Sequence, residues 1–214
     1  MRNQGRKLFP QMAKALSEVD ESVVMHWHTF YPDKAWNIPY LLNKYNIQKR
    51  VYFTYICPSC NTVKARLFSG IRRICKCGKV EFMASTQTPV SENDLCKIYN
   101  ASDICVQYAV GEGLGIQCVE AAACGIKSIS VSYSGMMEHI EGLESLPVPV
   151  LAFRKEYQSN KNFAVPDNDS LINYLNSNET WSYDRNHIRK LFEDKYSKKV
   201  CIMDRDWETK FLLL

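Results

Sequence analysis

Hydrophobic positions along this chain alternate between two periods. Leu8, Met12 and Leu16 recur at spacing four within residues 6–18, which predicts an amphipathic helix. Residues 23–28 form a short apolar run and read as a buried strand. Residues 38–45 read as a second helix and 51–54 as a second strand. Ser91 is placed to cap a helix running to Tyr99. A third strand is predicted over 104–108, a helix over 119–124 stopped by Gly125, and a fourth strand over 129–131. Further on, 148–153 reads as strand, 169–176 and 185–195 as helices, and 200–213 as a terminal helix. Strands alternating with helices predict an α/β fold around a Rossmann-like parallel sheet.

Segment 55–85 breaks this alternation. Cys57 and Cys60 form one close pair, Cys75 and Cys77 another, with fourteen residues between the pairs. That spacing matches a zinc ribbon, in which each pair makes a knuckle and a hairpin joins them. Residues 62–68 and 79–83 alternate like its strands, and Ser69-Gly70 reads as its turn. Four thiolates leave no open position on the ion, so the expected zinc is structural and supplies folding free energy. The competing readings are reduced, unliganded thiols, or a disulfide formed on purification. The expected organisation is an α/β domain over 1–54 and 86–214, interrupted by a ribbon-like subdomain over 55–85. Cys96, Cys105, Cys118, Cys124 and Cys201 read as small buried hydrophobes.

Charge sharpens that division. Of the net +4 of the 214 residues, segment 55–85 contributes +5, from Lys64, Arg66, Arg72, Arg73, Lys76 and Lys79 against Glu81. The remainder is at −1, so the basic excess belongs to the ribbon. Nucleic-acid binding through 55–85 is the less favoured reading, because no aromatic ladder accompanies the cations. A stability or docking insert is favoured. No apolar run approaches the roughly 20 residues of a membrane helix, and the first residues lack a secretory signal, so a cytoplasmic protein is expected. Nine cysteines without such a signal read as thiols or ligands rather than a disulfide framework.

The densest chemistry lies at Glu112-Gly113-Leu114-Gly115-Ile116-Gln117-Cys118-Val119-Glu120. Two carboxylates eight residues apart span about two and a quarter helical turns, which can set both on one side of a pocket. Gly113 and Gly115 permit close backbone approach, and the following helix offers its free N–H groups. Carboxylates suit sugar hydroxyls and helix-end amides suit phosphate. His26 and His28 read as strand residues at a sheet edge or cleft, and Asp103 as a cap.

Several blocks stand in a familiar order. Residues 95–106, then Gly111-Glu112-Gly113-Leu114-Gly115, then Glu120-Ala121-Ala122-Ala123-Cys124-Gly125 resemble the nucleotide-sugar-binding half of retaining GT-B glycosyltransferases with an E-x7-E motif. Arg2-Asn3-Gln4-Gly5-Arg6-Lys7 resembles the family's basic stretch, and Tyr133-Ser134-Gly135-Met136-Met137-Glu138 its Gly-x-x-Glu turn. The resemblance covers about residues 1 to 150. It implies that Glu112 meets the donor sugar and acts in catalysis, and that Glu120 binds the ribose hydroxyls. It implies that Arg2 and Lys7, with amides near Leu114 to Ile116, neutralise the diphosphate. It implies a hexosyltransferase using a nucleoside-diphosphate sugar, with no catalytic metal and no protein nucleophile. Lys127 departs from the family, standing where a proline is usual. Such enzymes have two halves and this resemblance accounts for the second. A separate N-terminal domain or partner chain is therefore expected to complete the enzyme, and the acceptor is not specified. The alternative is a non-catalytic module, in which a degenerate transferase domain carries a basic ribbon for nucleic acid or a protein.

Overall fold

Leu8, Met12 and Leu16 are all buried along α1 (Phe9–Glu18), as the spacing-four stripe requires. The helix starts three residues later than position 6, because the backbone before it is occupied elsewhere. Val110 N donates to Arg6 O at 2.9 Å, Leu8 N donates to Tyr108 O at 3.2 Å, and Lys7 pairs with Ala109. Pro10 lies in the first helical turn, where its missing N–H costs nothing.

The structure is a computed structural model that describes residues 4–33, 35–156 and 160–196. These form two units. The first takes the described residues of Met1–Lys97 together with Tyr108–Val110 and Asp167–Ser177. The second takes Ile98–Gln107, Gly111–Pro166 and the described residues of Asn178–Leu214. The helix expected over 200–213 lies outside the described residues.

In the first unit, β1 (Met25–Trp27) is followed by α2 (Ile38–Lys44) and a parallel β2 (Val51–Cys57). Trp27 stands edge-on to Phe9 at 5.0 Å and to Phe53 at 6.0 Å, which ties α1 to both strands. The second strand runs past position 54, because Tyr55, Ile56 and Cys57 continue the buried run. β3 (Thr62–Leu67) pairs antiparallel along one edge of β2, from Tyr52↔Leu67 to Cys57↔Thr62. β4 (Arg72–Ile74) was not expected from sequence, and pairs with β5 (Val80–Met83). On its other edge β2 pairs with β1 and then with β5, at Tyr55↔Met83 and Ile56↔Phe82. The chain continues into α3 (Glu92–Asn100), where Ser91 Oγ accepts from Asp94 N at 3.1 Å, as expected of the cap.

In the second unit, β6 (Cys105–Gln107), α4 (Ile116–Ala123) and β7 (Ser128–Val131) form a strand–helix–strand unit, with β6 and β7 parallel. α4 begins three residues before position 119, directly after Gly115. A 3₁₀ turn (Ser134–Met136) leads into α5 (Met137–Gly142), and β8 (Leu146–Val148) joins β7 in parallel. The strand expected over 148–153 splits at Pro149 into β8 and β9 (Val150–Lys155), the latter paired with β10 (Asn162–Pro166). A proline cannot donate to the ladder, so the break falls there. α6 (Asn168–Asn176) returns to the first unit and packs on α1. α7 (Asn178–Trp181) precedes α8 (Arg185–Tyr196), which buries Ile188 against Ala122 and Leu143. Gly125 ends α4 at φ 72°, and a Cβ there would lie 2.7 Å from the Arg185 carbonyl. Lys127 leads directly into β7, so the missing proline does not disturb the step from helix to strand.

Candidate functional site

Glu112 lies in a loop four residues ahead of α4, whereas Glu120 sits in the second turn of the helix. Helical spacing therefore does not relate the two acids; the loop does. Gly115 is the N-cap at φ 67°, a left-handed conformation that favours glycine. No side chain caps α4, and in its first turn Cys118 N donates back to the Gly115 carbonyl at 3.0 Å. Leu114 and Ile116 are about half exposed at this end. Glu120 accepts a hydrogen bond from Tyr99 at 2.7 Å. Burial, reinforced by that bond, holds the Tyr99 phenol far above its ordinary range, so it remains a donor.

The turn after β7 fastens the loop. Glu112 N donates to Ser134 Oγ at 2.9 Å, and Gly135 N donates to the Glu112 carbonyl at 3.1 Å. A Cβ on Gly135 would lie 2.0 Å from the Gly113 carbonyl, so no side chain fits there. Beneath the loop lies His139, fully buried, with Nε2 against the Leu114 carbonyl. A carbonyl only accepts, so Nε2 is assigned the proton. Nδ1 then accepts from the Tyr196 hydroxyl at 3.0 Å. Glu138 sits in the first turn of α5, 3.8 Å from Lys195.

Thus Glu112, Gly113, Leu114, Gly115, Ile116 and Glu120 are brought together in the second unit. Lys7 belongs to the first unit and is only 2% exposed. Arg2 lies outside the described residues. Tyr99, His139 and Tyr196 were missed in the sequence, since each acts across 21 to 57 residues with no local motif. Ser134 and Gly135 stood in a quoted turn, but their hold on Glu112 was not foreseen.

The first unit has a cleft of about 430 Å³ immediately after the C-terminal end of β1. Its polar lining includes His28, Thr29, Asp33, Ser85, Thr86 and Gln87. Open α/β sheets bind ligands beyond the carboxyl ends of their strands. His26 Nε2 and His28 Nδ1 both meet Thr54 Oγ1, at 2.9 and 2.7 Å. Burial pushes His26 down to about 4 and His28 down to about 3.

Cys57, Cys60, Cys75 and Cys77 come together with every Sγ within 4.8 Å of the others. The closest pairs are 3.6 Å (Cys57–Cys77) and 3.7 Å (Cys60–Cys75). A tetrahedral ion with metal–sulfur bonds of about 2.3 Å sets sulfurs about 3.8 Å apart, so the cluster fits one. The second knuckle closes through Gly78 N to Cys75 O at 2.9 Å and Cys75 N to Lys79 O at 2.8 Å. The Cys77 backbone amide, with the Cys77 thiol and Lys64 behind it, pulls the Cys75 thiol down to about 6. A thiolate is the form that ligates. Among the other cysteines, Cys118 is buried as expected, but Cys96 is exposed and Cys105 and Cys124 are intermediate. Cys96 falls on α3, which buries none of its residues. Cys201 lies outside the described residues.

Half of this segment's cations turn onto Glu81, while Arg72, Lys76 and Lys79 are exposed. Glu81, 1% exposed, lies 3.0 Å from Arg66, 3.6 Å from Arg73 and 3.8 Å from Lys64. These are charge contacts, because neither the carboxylate nor Arg66 Nε finds hydrogen-bond geometry.

Residues 84–145 match the family model of Glycosyl transferases group 1. The whole fold is similar to Anabaena Alr3699/HepE in complex with UDP and glucose, at 13% identity and a TM-score of 0.62, covering 100% of this chain and 47% of that one. It is similar to sucrose-phosphate synthase from Thermosynechococcus elongatus at 16% identity and 0.62, covering 99% and 44%. WaaG, a glycosyltransferase involved in lipopolysaccharide biosynthesis, matches at 15% and 0.56, covering 96% and 44%. No curated protein sequence is significantly similar. These likenesses bear out the expected fold, a single α/β half of a GT-B architecture with Rossmann-like parallel strands. The chain spans less than half the length of each of these structures. Among the described residues no helix is long and apolar enough to cross a membrane.

Proposed function

We propose that this chain is the nucleotide-sugar-binding half of a retaining glycosyltransferase. The observation that carries the proposal is the loop from Glu112 to Glu120, which lies within the matched family segment and is locked by Ser134 and Gly135. In this reading Glu112 accepts from hydroxyls of the donor hexose and Glu120 from those of the ribose. Tyr99 holds one Glu120 oxygen and thereby fixes the carboxylate. Amides from Leu114 to Ile116, with Arg2 and Lys7, neutralise the diphosphate. Catalysis then consists of stabilising charge on the departing nucleoside diphosphate, with no metal and no protein nucleophile. Within the first unit, the cleft after β1 has a volume and polar groups suited to a nucleoside. A similar structure holding UDP and glucose supports this ligand class. The acceptor requires a further domain or partner chain.

We assign the four cysteines a structural zinc, within an insert over 55–85 of a domain over 1–54 and 86–214. Zn²⁺ there supplies cross-linking and charge, with no catalytic role. The alternative, a nucleic-acid-binding ribbon, loses support at Glu81, which engages Lys64, Arg66 and Arg73.

Thermal melts test the proposal. UDP-sugars or GDP-sugars are expected to raise Tm, and Glu112→Ala and Glu120→Ala to abolish the rise. A wild-type chain that shifts with no nucleotide sugar overturns it.

A further inference from the structure

Both walls of the cleft after β1 rest on the cysteine-bearing segment. One wall, residues 84–90, continues directly from β5. Its start is pinned by Ala84 N donating to the Thr54 carbonyl at 2.9 Å. Thr88 Oγ1 donates back to the Met83 carbonyl at 3.3 Å. The opposite wall, residues 28–33, is held through Tyr31. Its N–H contacts Met83 Sδ at 3.2 Å, and its ring stands edge-on to Phe68 at 6.0 Å. Phe68 follows β3 and packs in turn on Phe53 at 5.5 Å. Met83 therefore touches both walls, and Met83 N itself donates to the Ile71 carbonyl at 3.1 Å.

Met83 is held in β5, which pairs with β2 at Tyr55↔Met83 and on its other edge with β4. β4 has three residues and β5 four, so each depends on its neighbours to persist. Their far ends meet at the second knuckle, where Cys75 N donates to the Lys79 carbonyl. Four sulfurs closing on one ion fix that knuckle to the start of β3 and the end of β2. Metal binding in such pieces is folding free energy.

We propose that metal occupancy of the Cys57–Cys60–Cys75–Cys77 cluster sets the affinity of the cleft for a nucleoside diphosphate. The inference rests on reading the chain as a donor-binding half. The cysteine segment then acts on nucleotide binding within the first unit, because its strands carry the cleft walls. Without the ion β4 and β5 loosen, Met83 is released, and the fraction of molecules with a formed cleft falls. Apparent affinity falls by that fraction.

The test uses the full chain with UDP as the probe in titration calorimetry. Zinc-loaded protein, chelator-stripped protein, stripped protein given one equivalent of Zn²⁺, and Cys60→Ser/Cys77→Ser are compared. Hydrogen exchange is followed in parallel. The expected result is a loss of UDP affinity of about tenfold or more on stripping and in the double variant, restored to the stripped wild type by Zn²⁺. Faster exchange is expected over 71–90, with α4 and α8 unchanged. Stripped protein that is zinc-free by elemental analysis yet binds UDP as tightly overturns the inference. So does exchange that rises equally in α4 and α8, since the ion is then a general staple. Zinc-loaded protein that binds neither UDP nor GDP condemns the donor-binding reading itself, a distinct outcome.

Discussion

The cysteine segment and the glycine-rich loop treat charge in opposite ways. Around Glu81 three cations converge on one buried carboxylate, and Lys64 also reaches Cys75 at 3.3 Å. In the loop, a serine hydroxyl and a glycine amide hold the backbone of Glu112, and a tyrosine hydroxyl donates to the carboxylate of Glu120. Charge matched by charge inside the fold serves the fold. A carboxylate held by an uncharged hydroxyl, as that of Glu120 is, is oriented without being neutralised. The segment whose composition most suggested a nucleic-acid surface thus directs three of its six cations to its own carboxylate.

The comparison breaks most visibly if the metal is removed. Cys57→Ser, or chelation, is expected to lower Tm by roughly 10 °C or more. Elemental analysis should find one zinc per chain in the wild type only. An unchanged melt in a zinc-free chain would falsify the structural assignment. The loop has its own weak point at Gly135. Gly135→Ala forces a carbon into the Gly113 carbonyl, and a loss on the order of 3 kcal/mol is expected in urea unfolding. Gly113→Ala meets nothing within 4 Å and should stay within about 0.5 kcal/mol. Equal costs at the two positions would show that the turn does not clamp the loop.

Acid comes next. The unfolded chain protonates His26 and His28 near their ordinary value of about 6.5, whereas the folded chain resists until about 4 and about 3. Depressed histidines leave full stability above about pH 6.5, and stability drains away as pH falls toward 3 to 4. Melts at pH 7, 5.5 and 4.5 should fall steadily, and His26→Asn/His28→Asn should flatten that slope. The smallest effect is expected of Tyr99→Phe, about 1 kcal/mol. It should weaken nucleotide-sugar binding more than it weakens folding, because Glu120 loses its anchor. Unaltered binding would detach Tyr99 from the site.

Periodicity located most helices to within three residues, because α1, α6 and α8 each bury one face. The cysteine cluster was legible because two knuckles have fixed local spacing. β4 was not, since Arg72-Arg73-Ile74 has no apolar alternation and becomes a strand only by pairing with β5. The acids at 112 and 120 were found by local pattern, but their geometry was misjudged: a glycine in the left-handed region starts α4 after Glu112, so helix spacing never applied. His139 and Tyr196 carried no motif at all. His139 acts on a backbone carbonyl, which any residue at 114 would supply, and Tyr196 acts through His139.

The pairing of β2 has one more consequence. Val51-Tyr52-Phe53-Thr54-Tyr55-Ile56-Cys57 is rich in aromatic and branched side chains, without charge, proline or glycine. Such a seven-residue run is the composition of a fibril-forming segment. Here β3 covers one edge of it, while β1 and β5 share the other. Two of those three guards lie in the cysteine segment, so its strands also keep an aggregation-prone strand from finding a neighbouring molecule.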